Sequence, residues 1–170
     1  MTAAIVRALA LSLCCVAMAG GAPASQAVLP AFVVARSAKP GLSRLWALSL
    51  ATRRERVACL GGTVASDTVR VERVLAVEAA DADSLTAGAW RSITECAPPR
   101  WIGTVHTHVR STDDPSPAPR FSPGDRAVMS EWSRRWGRAG AFCVLYSERS
   151  AHCEVYPPRT EPLARPPGRS

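Results

Sequence analysis

Residues 122–137, SPGDRAVMSEWSRRWG, spell out one helix with both of its ends marked. Ser122 suits the N-cap, Pro123 the first helical position, Asp125 the third and Gly137 the stop. Val128, Met129, Trp132 and Trp136 recur at helical spacing as an apolar stripe, which reads as core. A helix with a single apolar stripe has to lie against other elements. Its neighbours in sequence are strand-like. RWIGTVHTHV (100–109) alternates and is rich in β-formers, while AFCVLYSE and SAHCEVY form a terminal hairpin.

The upstream half adds further strands and helices. LPAFVVARSA (29–38) has the β-branched content of a short strand, and KPGLSRLWALSLATRRER repeats apolar residues near helical spacing. RVACLGGTV is a compact apolar run ending in Gly-Gly, the pattern of a buried strand entering a turn. DTVRVERVLAVEAA alternates at its start and predicts another strand. DADSLTAGAWRSITECAPP predicts a helix capped by Asp83 or Ser84 and stopped by Pro98-Pro99. There is no internal repeat. The order β-α-β-β-α-β-α-β-β predicts one mixed α/β or α+β domain over residues 28–157.

Two segments fall outside that domain. Residues 1–27 combine one basic residue, Arg7, an apolar run and a small-residue stretch, which predicts a secretory signal peptide cut after Ala19, Ala24 or Ala27. The apolar run is short of the ~20 residues a membrane-spanning helix needs, so no membrane span is expected. Cys14 and Cys15 raise a lipoprotein alternative, but the preceding Leu-Ser-Leu lacks the small residue such sites favour. The tail, residues 158–170, is rich in proline and arginine and predicts disorder.

Removal of a leader leaves Cys59, Cys96, Cys143 and Cys153, an even set in an oxidising compartment, periplasmic or extracellular. Four cysteines allow three pairings. Cys143 and Cys153 flank a hairpin and can face each other, which would leave Cys59 with Cys96; buried free thiols are the alternative. The net charge is +7, and Lys39 is the only lysine. The arginines are scattered, without interleaved aromatic residues, so the basic surface reads as solvated and no nucleic-acid partner is expected.

The chemistry concentrates in residues 103–125, GTVHTHVRSTDDPSPAPRFSPGD. On a strand, His106 and His108 share a face, their positions about 6–7 Å apart. Two such imidazoles can converge on one zinc ion at ~2.0–2.1 Å each. A catalytic zinc needs a third protein ligand and an open position. Asp125 supplies the carboxylate from the first turn of the following helix, where the helix dipole favours its charged form. Alone, a His-x-His pair is a weak signal.

A glutamate upstream strengthens it. Glu55 opens ERVACLGG, His106-Thr107-His108 gives the pair, and Ser122-Pro-Gly-Asp125 closes the pattern. This combination resembles the JAMM (JAB/MPN) zinc metallopeptidase family, over about residues 29–156. The resemblance implies a JAB/MPN-like fold, a central mixed β-sheet flanked by helices with a cytidine-deaminase-like architecture. It implies Zn2+ on His106, His108 and Asp125, Glu55 as general base, and Ser122 as a hydrogen-bond donor to the oxyanion. The implied substrate is a peptide, an isopeptide or a cell-wall-derived substrate, and for an exported chain an envelope peptide or a cell-wall crosslink gains weight. The alternative is a non-catalytic JAMM-like binding module with a structural or vestigial zinc site.

The chain departs from the family's pattern in two places. Val109 stands where proline usually follows the second histidine, and the 109–121 loop is longer than usual. Glu72, Glu78 and Glu95 compete with Glu55, but none precedes an apolar run ending in glycine. Asp113 and Asp114 compete with Asp125 from a loop, where a metal gains no fixed partner. Neither His-Glu-x-x-His nor Pro-Cys-x-x-Cys occurs. His152 reads as an ordinary hairpin residue, and a Cys–His nucleophile pair is disfavoured by the even cysteine count.

Overall fold

The strands and helices expected between residues 29 and 157 become elements of a computed structural model, which describes residues 30–77, 85–109 and 119–157. The expected leader and tail, both candidate caps of the second helix, Glu78, Asp113 and Asp114 lie outside the described residues. The order is β1 (Ala31–Val34), α1 (Lys39–Thr52), β2 (Val57–Val64), β3 (Thr68–Ala76), α2 (Leu85–Glu95), β4 (Gly103–Thr107), α3 (Pro123–Trp136), β5 (Gly140–Ser147) and β6 (Ser150–Tyr156). All nine follow the expected sequence of strands and helices.

The strands form one six-stranded mixed sheet in the order β1-β3-β2-β4-β5-β6. β1 with β3 and β4 with β5 are parallel; the remaining neighbours are antiparallel. Both parallel pairs are joined through helices, because a parallel neighbour cannot be reached by a tight turn. Strand alternation divides the core in two. Val105, Ala141, Cys143 and Leu145 face α1, where Leu45 joins them. Phe142 and Val144 face the other way, onto Ile93 of α2 and Met129 and Trp132 of α3. Trp132 and Trp136 also donate their indole N–H groups to the carbonyls of Cys96 (3.0 Å) and Ile93 (2.9 Å), which fastens α3 to α2.

Two local expectations are corrected. Gly61-Gly62 does not lead β2 into a turn; the strand runs on to Val64, with a bulge between the two glycines. Gly62 has φ +154°, and a Cβ there would lie 1.9 Å from the Arg70 carbonyl oxygen, so glycine serves a close strand approach. The histidine-bearing strand is also shorter than the alternation implies. It ends at Thr107, leaving His108 just beyond it, although the His108 N–H still bonds the Leu145 carbonyl at 2.7 Å.

The expected cysteine pairing is present, as Cys59–Cys96 and Cys143–Cys153. Cys143 and Cys153 sit directly opposite each other in the β5–β6 register. Among the described residues no helix is long and apolar enough to cross a membrane.

Candidate metal centre

The C-terminal end of β4, the start of β2 and the N-terminus of α3 meet at one end of the sheet. His106 projects from β4 toward the α2–α3 face, and His108 follows it. Asp125 arrives from the first turn of α3, which a capping box holds in place. The Asp125 N–H bonds Ser122 Oγ at 3.1 Å, and the Ser122 N–H bonds Asp125 Oδ2 at 2.7 Å.

Three side chains thereby converge. The two Nε2 atoms lie 3.1 Å apart, His106 Nε2 is 3.2 Å from Asp125 Oδ1, and His108 Nε2 is 3.6 Å from Asp125 Oδ2. Ligands held tetrahedrally at ~2.0–2.1 Å from zinc are separated by about 3.3–3.4 Å, so the observed spacings bracket a metal's demand. Neutral imidazoles and a carboxylate are also suitable zinc donors. His106, His108 and Asp125 thus form a group that could hold a metal ion.

The electrostatics favour an ionised carboxylate. Burial opposes the Asp125 charge, but hydrogen bonds from His106 and His108, the His106 charge and the Ser122 contact outweigh it. They hold the carboxyl well below the usual carboxylate range.

Glu55 precedes β2 and is half-buried, with its Oε2 closed to solvent. Val57 pairs with His106, and the Thr107 N–H bonds the Arg56 carbonyl at 3.0 Å. Glu55 lies two residues before Val57, so it enters β2 at the end of the sheet where His106 sits. The competitors lie elsewhere. Glu72 and Glu95 are exposed and engaged by Arg70 and Arg91. With all four cysteines in disulfides, no thiol among them is left for a Cys–His pair.

One group beside the site escaped sequence reasoning. Phe121 packs on His106 at 5.9 Å between ring centroids and on His152 at 5.6 Å. Arg126 grips Glu154 through two bonds of 2.8 and 2.9 Å, and His152 donates to the same carboxylate at 2.8 Å. The Arg126 bond pulls the Glu154 pKa down to about 2, against burial and with help from His152. His152 is therefore more than a hairpin residue. The available signal was its i, i+2 spacing from Glu154, which puts both on one face of β6.

No known family profile and no curated protein sequence matches this chain. Among solved structures it is similar to the solution structure of a protein from Desulfitobacterium hafniense, at 17% identity and a TM-score of 0.47. That match covers 73% of this chain and 82% of the other. It is also similar to the crystal structure of a JAB1/MPN domain protein from Archaeoglobus fulgidus, at 19% identity and a TM-score of 0.38. There the match covers 73% of this chain and 94% of the other. Both likenesses are distant, so the chemistry of the site has to be argued from its own residues.

Proposed function

We propose that this protein is an exported, zinc-dependent peptidase or isopeptidase-like hydrolase with a JAMM-type site. The observation that carries the proposal is the convergence of His106, His108 and Asp125 at metal-ligand spacing. Two disulfides in the described domain support export.

His106, His108 and Asp125 would hold the ion. When bound, the ion supplies Lewis acidity, polarising the scissile carbonyl and making a water nucleophilic near neutral pH. Glu55 accepts that water's proton and returns it to the leaving amine, as a carboxylate within hydrogen-bond reach can. Ser122 stabilises the developing oxyanion. Its Oγ accepts the Asp125 N–H, its hydroxyl also bonds the Asp125 carboxylate, and the residue is exposed. Oxyanion binding therefore requires the hydroxyl to turn from the Asp125 carboxylate to the substrate, while Oγ keeps its capping bond.

Metal analysis of the full chain tests the site first. One equivalent of zinc is expected in the wild type, lost in His106→Ala and Asp125→Ala; wild-type protein that is metal-free without exposure to chelators would sink the proposal. A peptide-library cleavage assay with and without chelator tests the activity. Glu55→Gln should keep its zinc and lose hydrolysis. Zinc retention with no chelator-sensitive cleavage in the wild type would instead identify a binding module.

A further inference from the structure

A cavity of about 320 Å3 lies between α2, α3 and the sheet, and His106, Ser122 and Asp125 form part of its wall. It is a cleft partly open to solvent, with exposed residues such as Trp90 and Ala127 along its edge. The volume is that of a small ligand site. Val57, Phe142, Val128 and Met129 make its walls apolar, and Ala89 and Ala127 keep its helical sides low. Trp90, with 46% of its surface exposed, stands at the rim.

The polar side chains of the lining include His106, Ser122 and Asp125 at the metal end, and Thr104 and Ser92. Among the described residues that line the cavity, His106 and Asp125 are the titratable ones, and they face each other at 3.2 Å. Deeper in, the Ser92 hydroxyl donates to the Ala89 carbonyl at 2.6 Å. Among the described lining residues, an ammonium, guanidinium or carboxylate entering the cavity finds no counter-charge beyond the metal centre, and burial of an unpaired charge is strongly disfavoured. An apolar side chain loses nothing there and removes its surface from water.

We propose that this cavity is the subsite for a bulky apolar side chain, such as Leu, Met or Phe, on a residue flanking the scissile bond. The proposal rests on the hydrolase reading and narrows its substrate class. The substrate is a peptide with a large apolar residue beside the cleaved bond, because glycine or alanine there would leave the cavity empty.

The test pairs cleavage with binding, using the full zinc-loaded chain. Peptides carrying Gly, Leu, Phe, Lys or Asp at each flanking position are compared, and the Leu and Phe peptides should exceed the others in kcat/KM by at least ~10-fold at one position. Calorimetry with N-acetyl-leucinamide, N-acetyl-glycinamide and N-acetyl-lysinamide should give the leucine probe a similar advantage of at least ~10-fold in affinity. Ala127→Phe places a ring from an exposed position of α3 across the cavity, so the leucine advantage should collapse toward unity while zinc content is unchanged. Trp90→Ala serves as a second variant that removes the exposed rim instead, and should weaken leucine binding severalfold with the glycine probe unaffected. Equal binding of the leucine and glycine probes overturns the subsite, whatever the protein cleaves. Selective leucine binding without chelator-sensitive cleavage upholds the apolar cavity and overturns the hydrolase reading.

Discussion

Thr107 stands between the two proposed histidine ligands and points away from both. It is fully buried on the α1 face, where its Oγ1 accepts the Arg56 N–H at 2.8 Å and shares a bond of 2.7 Å with the hydroxyl of Ser49, also fully buried. These contacts tie the start of β2, and hence Glu55, to the strand that carries the metal ligands. Thr107→Val keeps the shape but removes the partner of the part-buried Arg56 N–H and of the buried Ser49 hydroxyl, which costs about 1–3 kcal/mol. Urea denaturation should show a loss of that size. A loss near zero would mean that water replaces the missing hydroxyl. The His-Thr-His run was plain in the sequence, but this support was not. Ser49 is 58 residues from Thr107, and a serine on a helix carries no mark of the strand it will touch.

At the level of elements, α3 decides whether the centre is assembled, because its first turn carries both Ser122 and Asp125. Its punctuation was legible in every detail, since N-cap, proline and C-terminal glycine are local backbone requirements. The cap and oxyanion roles of Ser122 can be separated. Glycine is nearly as good an N-cap, so Ser122→Gly should cost only a few tenths of a kcal/mol in stability. Without the hydroxyl, hydrolysis should fall by about 10²–10³-fold, as for loss of an oxyanion donor. Equal activity of variant and wild type would remove Ser122 from the mechanism.

The Arg126–Glu154 pair ties the same turn of α3 to β6, and it was not legible, because its partners meet only once the sheet has formed. Glu154 has a folded pKa of about 2, below its ordinary 4.5. The carboxylate's contribution is therefore complete above about pH 4.5 and lost as pH falls toward 2. The stability difference between wild type and Glu154→Gln should be constant from pH 7 to 5 and shrink through that acid window. A difference that does not change with pH would show that the ion pair adds nothing beyond packing, as for many exposed pairs.

Across the whole molecule, the order of elements was readable because alternation and helical spacing are local signals. The strand order β1-β3-β2-β4-β5-β6 was not, since no residue in a strand names the neighbour it will pair with. The cysteines supply part of that missing information. Cys143–Cys153 lies in the core facing α1, and Cys59–Cys96 in the core beneath α2, so one crosslink serves each face of the sheet. Their separations of 10 and 37 residues give them unequal weight. In the chain-entropy account, a loop of the longer size stabilises by about 3.5–4 kcal/mol and one of the shorter size by about 2.5–3 kcal/mol. Replacing Cys59 and Cys96 together by alanine should therefore lower the urea midpoint more than replacing Cys143 and Cys153. The longer crosslink also anchors the end of α2, the helix that contributes Ala89, Trp90 and Ser92 to the cavity. Its loss should weaken leucine-probe binding as well as stability, whereas loss of the hairpin crosslink should leave the probe's affinity intact. The reverse ranking in both measurements would show that the hairpin disulfide, next to the metal centre's own strand, governs the site more than the framework that carries α2.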